Sequence, residues 1–183
     1  MEFDEVIKTR QSIRKYTSKE VTKKELKLII EAARVAPSAK NRQPWRFYIL
    51  TDKQKNNIAE MMYEWERNNR NQKTSVKGSA DQMKEANKVV MVYRPLYKNK
   101  AKNDDYKKPD YLSIGASIEN MILECTNMNL GSCWLCDTLY IKEEIDNYLG
   151  IENCEHISAV IIGYPKEIPQ KREKLDIQEL IIN

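Results

Sequence analysis

Ala36-Pro37-Ser38-Ala39-Lys40-Asn41-Arg42-Gln43-Pro44-Trp45 lies between a helix-patterned run and a strand-patterned one, Arg46-Phe47-Tyr48-Ile49-Leu50-Thr51. Two prolines bracket small and amide side chains, and a large aromatic closes the stretch. Proline fixes its own φ and disfavours α conformation in the residue before it, so Ala36 and Gln43 are expected to be extended. The turn is then stiff, and its donors (Ser38, Asn41, Gln43 and free backbone N–H groups) point in set directions. Such a turn suits the edge of a flat heteroaromatic ligand. The same ten residues also describe an ordinary helix-to-strand loop.

Working outward, residues 22–35 read as a helix. Thr22 can cap it with Glu25 three residues on, and Leu26, Ile29, Ile30 and Ala33 form one apolar stripe. Asp52 is the expected cap of a helix over roughly 53–70, whose polar end from Glu64 to Lys73 is expected to fray or stand in solvent. A short helix is expected at 80–87 and a strand over Lys88–Tyr93, bounded by Pro95. Residues 94–109 are almost wholly polar and read as a long loop, either a lid or a solvated surface segment. The strongest helical pattern covers 111–129, with apolar side chains round much of its circumference, so it should be central and buried. Gly131 would end it in left-handed geometry. A strand near 132–135, a helix at 141–149 stopped by Gly150, and a β-branched strand from His156 to Gly163 follow. The tail, 164–183, closes on Leu180-Ile181-Ile182, an apolar patch that a partner subunit could cover.

The 183 residues fit a single domain, 1–183, with 41% hydrophobic and 32% charged residues. A net charge of +4 is too weak to argue for nucleic acid but fits a small anionic ligand. The sequence has no apolar run long enough for a membrane span, and the acidic start, Met-Glu-Phe-Asp-Glu, lacks a signal core, so a cytoplasmic protein is expected. Cys125, Cys133, Cys136 and Cys154 read as reduced thiols, not as a disulfide scaffold. The single histidine, His156, has no companions with metal-ligand spacing, and no nucleophile elbow accompanies it.

Chemistry concentrates in three places. Arg10-Gln11-Ser12-Ile13-Arg14-Lys15-Tyr16, if extended, puts Arg10, Ser12 and Arg14 on one side, where guanidinium forks and a hydroxyl could hold a phosphate; a solvated basic turn is the alternative. The Pro37–Trp45 turn is the second. Lys171-Arg172-Glu173-Lys174, after Gly163-Tyr164-Pro165, is the third, and alone it could be just a soluble tail. Cys133-Trp134-Leu135-Cys136 spells C-x-x-C, but it follows a helix and leads toward a strand, which is not the setting of a thioredoxin-type dithiol.

Taken in order, these segments resemble the nitroreductase family of flavin-dependent oxidoreductases. The resemblance rests on Arg10-x-Ser12-x-Arg14-x-Tyr16, Ala36-Pro37-Ser38-x-x-Asn41-x-Gln43-Pro44-Trp45, the run from Asp110 to Asn120, Leu130-Gly131-Ser132-Cys133-Trp134, and Gly163-Tyr164-Pro165 with its basic sequel. It spans residues 3 to 182. It implies an α+β fold, with a mainly antiparallel central sheet flanked by helices, and FMN bound at a homodimer interface with the C-terminal tail extending onto the partner. In that scheme Arg10 and Ser12 hold the FMN phosphate, with Arg172 or Lys174 closing on it from the tail, Gln11 is a further cofactor-binding residue, and Arg14 lies near N1 and the C2 carbonyl. A cation there stabilises the charge of reduced flavin. Pro37, Ser38, Ala39 and Asn41 would come from the other subunit to cover the ring, with Gln43 either touching it or bracing the turn, as Trp45 is expected to do. Backbone around Trp134, Leu135 and Cys136 would lie near the reactive edge. The implied activity is ping-pong hydride transfer from NADH or NADPH through FMN to a nitroaromatic, a quinone or a similar acceptor, with no protein residue named as catalyst. A flavin-binding protein without nicotinamide turnover is the alternative.

Overall fold

The computed structural model describes residues 1–182. In chain order its elements are α1 (Phe3–Thr9), α2 (Lys23–Arg34), β1 (Arg46–Ile49), α3 (Asp52–Asn68), α4 (Val76–Glu85), β2 (Lys88–Pro95), α5 (Lys100–Asn127), β3 (Gly131–Leu135), α6 (Lys142–Leu149) and β4 (Cys154–Gly163), with short 3-10 turns at Ala39–Asn41, Asp137–Ile141 and Ile177–Leu180. The four strands form one sheet in the order β1-β2-β4-β3, every pair antiparallel. This is the expected α+β architecture.

Both faces of the sheet are covered, and strand alternation divides the core in two. Val89, Met91, Tyr93, Ala159 and Ile161 pack on one face with Ile58 and Met62 of α3, Met83 of α4 and Ile145 of α6. Val90, Val92, Val160 and Ile162 pack on the other with Ile29 of α2 and Ile114, Ile118 and Met121 of α5. Successive residues of a strand point to opposite faces, so a strand buried on both sides reads as one unbroken apolar run. Each fully buried Val, Ile or Met side chain among these contributes about 1.5–3 kcal/mol.

Thr22 caps α2 in a reciprocal box: Glu25 N–H donates to Thr22 Oγ1 at 3.2 Å, and Thr22 N–H donates to Glu25 Oε2 at 2.7 Å. The cap of α3 is Thr51, boxed with Gln54, and not Asp52, which is the first helical residue. That helix runs to Asn68, so part of the polar stretch from Glu64 is helical. The helix expected at 80–87 starts earlier, at Val76, and α1 had no forecast.

The largest correction concerns 94–109. There is no long loop: β2 runs to Pro95, and one helix runs from Lys100 through Asn127 with Pro109 inside it. Its polar first half is held from outside. Asn103 exchanges two hydrogen bonds with the Tyr97 backbone, Tyr97 N–H donating at 2.7 Å and Asn103 Nδ2 donating at 2.5 Å, and Arg94 Nη2 donates to the Asn103 carbonyl at 2.9 Å. Gly131 does not end this helix. Asn129 takes the left-handed conformation (φ 58°), and Gly131 opens β3. Gly150, at φ 65°, does stop α6 as expected.

His156 on β4 is buried, with Nε2 2.9 Å from Thr138 Oγ1 and its ring edge-on to Tyr93 at 5.1 Å. Burial, with Lys142 nearby, lowers its pKa from 6.5 to about 4. The unfolded chain therefore binds this proton more readily than the fold does. The contribution is intact above about pH 6.5 and is lost as pH falls toward 4. Urea-unfolding free energy should drop by about 2 kcal/mol more between about pH 7 and about pH 4.5 in the wild type than in His156→Gln. Parallel pH profiles would contradict this.

Candidate functional site

The site begins where two side chains close on glycine backbone. Gly131 and Gly163 face each other across β3 and β4. A Cβ on Gly131 would lie 2.7 Å from Cβ of Ile13, and one on Gly163 would lie 2.7 Å from Cδ1 of Tyr16. Without those side chains, Ile13 and Tyr16 sink into the core and draw the preceding segment onto the sheet edge. Ser12 makes a parallel bridge to Ser132, and Tyr16 an antiparallel one to Pro165. Ile13 N–H donates to the Ser132 carbonyl at 2.9 Å, and Tyr16 OH donates to the Ile13 carbonyl at 2.5 Å.

Two anchors thus leave Arg10, Gln11, Ser12 and Arg14 facing outward. These four line one cavity of about 670 Å³ together with Ile7, Lys8 and, from the tail, Pro169 to Arg172 and Lys174. Lys8, Arg10, Arg14, Lys171, Arg172 and Lys174 make the lining cationic, and no carboxylate contributes to it. Lys171 Nζ donates to the Lys8 carbonyl at 2.6 Å and so ties the tail to the end of α1. Among the described residues, Arg10, Arg14, Arg172 and Lys174 have no carboxylate at ion-pair distance, whereas Lys8 pairs with Asp4 at 3.6 Å. An acid-free set of guanidinium and ammonium donors beside a hydroxyl is the chemistry of a phosphate seat.

The Pro37–Gln43 turn is not part of this cavity. It is as stiff as the sequence suggests, though by a different geometry. Gln43 is not extended: its φ is 50°, and Lys40 and Asn41 are also left-handed, at 55° and 52°. Three such non-glycine residues cost on the order of 1–3 kcal/mol each unless the surroundings hold them. Gln43 N–H donates to Ser38 Oγ at 3.0 Å and closes the turn, and Gln43 Nε2 donates to Asn41 Oδ1 at 3.3 Å. Pro37, Asn41 and Gln43 are exposed and Ser38 and Ala39 half-buried, whereas Trp45 is buried in the core cluster with residues of α2 and α5.

Sequence reading missed the stripe beneath the turn. Asp110, Ser113, Ser117 and Asn120 recur at helical spacing along one face of α5. Ser117 Oγ donates to the Ala33 carbonyl at 3.0 Å, and Asn120 Nδ2 to the Ala32 carbonyl at 3.1 Å, so the C-terminal end of α2 is tied down. Ala39 N–H donates to Ser113 Oγ at 3.2 Å. Asp110, with no exposed surface, takes Arg42 Nε and Nη2 on one oxygen at 3.1 and 2.9 Å, and Arg94 Nε on the other at 3.0 Å. The signal was in the sequence as the run from Asp110 to Asn120, but its partners lie dozens of residues away.

Trp134 on β3 and Cys136 just past its end are exposed, while the Leu135 side chain is in the core. None of the three lines the cationic cavity. Burial raises the pKa of both Cys133 and Cys136, with Arg14 opposing it at Cys133 and Asp137 reinforcing it at Cys136. Both thiols therefore stay protonated near neutrality, which does not suit a reactive dithiol.

The chain thus combines an antiparallel sheet covered by helices on both faces with a cationic cavity beside its β3 edge. The nitroreductase family model matches residues 7–164, and the chain belongs to that family. A protein from Archaeoglobus fulgidus, provisionally named an NADH dehydrogenase/NAD(P)H nitroreductase, is 31% identical over 168 residues, covering 88% of this chain and 84% of that one. Among solved structures, a Desulfovibrio desulfuricans nitroreductase in complex with FMN superposes with a TM-score of 0.81 at 22% identity, covering 100% and 96% of the two chains. A BluB-like flavoprotein from Clostridium difficile gives a TM-score of 0.83 at 24% identity, covering 100% and 99%.

The glycine seat is directly testable. Gly131→Ala must push Ile13 out of its pocket, so unfolding free energy should fall by about 1–3 kcal/mol, the usual cost of overpacking. An unchanged urea midpoint would show that the seat has slack.

Proposed function

We propose that the protein is an FMN-dependent oxidoreductase that takes hydride from NADH or NADPH and passes it to an electron-poor acceptor such as a nitroaromatic or a quinone. The observation that carries this reading is the acid-free cationic cavity on the β3 edge, whose donor set fits a phosphate dianion. Family membership and the FMN named in the Desulfovibrio structure support the same ligand. When bound, FMN supplies the two-electron carrier chemistry of a ping-pong cycle.

The roles proposed for this chain's own residues combine family membership with their places in the fold. Arg10 and Ser12 hold the phosphate, Gln11 flanks it, and Arg172 and Lys174 close over it from the tail. Arg14 sits toward the pyrimidine end of the ring, where a fixed cation favours the reduced, more negative form. The exposed Pro37, Asn41 and Gln43 and the half-buried Ser38 and Ala39 face a ligand held by a second copy, because they stand outside the cavity of their own chain. Trp134, Leu135 and Cys136 offer backbone at the reactive edge. The exposed apolar tail, including Ile177, Leu180 and Ile181, is the surface that the second copy covers. Among the described residues, no helix is long and apolar enough to cross a membrane.

Arg10→Ala removes one charge-assisted contact of about 1.5–3 kcal/mol, so the FMN dissociation constant should rise roughly 10- to 150-fold. It should also depend less steeply on ionic strength than that of the wild type. Unchanged affinity by fluorescence titration would remove Arg10 from the site. Anaerobic NADH or NADPH should bleach the bound flavin's visible band. A flavin that stays yellow with both would favour a flavoprotein without nicotinamide turnover.

A further inference from the structure

We infer that Asp110, acting through Arg42, is the positioning residue that sets the ligand-facing shape of the Pro37–Gln43 turn. The inference rests on the proposal that this turn walls the flavin ring.

Arg42 sits in the middle of the left-handed run, itself right-handed at φ −70° between Asn41 and Gln43 at 52° and 50°. Its guanidinium delivers two hydrogen bonds to Asp110 Oδ1, and its Cζ lies 4.3 Å over the Tyr106 ring. The fold does not need this contact to neutralise Asp110. Arg94, 1% exposed, already gives that carboxylate a buried counter-charge at 3.0 Å, and Tyr97 OH donates to the same oxygen at 3.3 Å. The second cation is therefore free to serve the turn. With Ala39 N–H on Ser113 and Arg42 on Asp110, one face of α5 grips the turn at two points three residues apart. Remove the fork, and the left-handed residues can relax into their ordinary basins. The ring wall would then be present only part of the time, and apparent affinity falls with the competent fraction.

The test separates ring from phosphate. In Arg42→Ala, affinities for FMN and for lumiflavin, which has the ring but no phosphate, should fall by the same factor, about tenfold if one turn in ten remains competent. Affinity for inorganic phosphate should hold, the visible spectrum of bound flavin should shift, and the melting midpoint should stay close to the wild type's. Arg42→Lys, which keeps the charge but loses the fork, should restore part of the loss. Wild-type affinity for FMN and lumiflavin in Arg42→Ala would overturn the inference, as would a parallel loss of phosphate affinity. A wild-type protein that takes up no FMN would instead defeat the proposed function. Trypsin then decides the inference alone: faster cleavage after Lys40 in Arg42→Ala supports it, and an unchanged rate overturns it.

Discussion

One carboxylate without access to water holds two guanidinium groups. Asp110 on α5 receives Arg94 from β2 and Arg42 from the turn before β1, and Arg94 reaches on to Glu155 of β4 at 3.3 Å. Breaking the Arg94–Asp110 pair, which is dry on both sides, typically costs about 3–5 kcal/mol, because the partner left behind stays charged and dry. The network stitches sheet, long helix and turn into one rigid unit. It also explains how a helix with a polar first half and an internal proline stays continuous from Lys100 to Asn127.

The other half of the site is fixed by shape instead of charge. Paired glycines leave two hollows on the edge of the sheet, Ile13 and Tyr16 fill them, and the residues between and before them have to present Arg10, Ser12 and Arg14 to solvent. The two halves therefore answer to different physics. The clamp depends on packing tolerance of a few tenths of an ångström, and the turn on a desolvated ion pair. In one chain they do not line a common cavity. That separation is what the proposed pairing of two copies resolves, each supplying the clamp for one ring and the wall for the other.

Local signals were legible in the sequence, and long-range ones were not. The Thr22–Glu25 box, the left-handed Gly150 and the β-branched strand ending at Gly163 are written in near neighbours. The Lys100–Pro109 segment looked like a loop because its composition is polar, and nothing adjacent shows that Arg94 and Tyr97 hold it helical. Gly131 looked like a helix stop because glycine commonly is one. Its actual role, making room for Ile13, involves a residue more than a hundred positions away. The run from Asp110 to Asn120 was visible as a motif, but the carbonyls of Ala33 and Ala32 that Ser117 and Asn120 bond are 84 and 88 positions distant. Proline logic at Gln43 failed because the Ser38 hydroxyl and the Arg42 anchor override the local preference.

The central claim is that each ligand site takes its clamp from one chain and its wall from another. A mixed dimer tests it most directly, with Arg10→Ala in one chain and Ala39→Trp, which fills the ring face, in the other. If the halves come from different chains, both lesions fall in one site and the other site is intact, so each dimer binds one FMN with wild-type affinity. If each chain builds its site alone, every site carries a lesion, and no FMN binds with wild-type affinity.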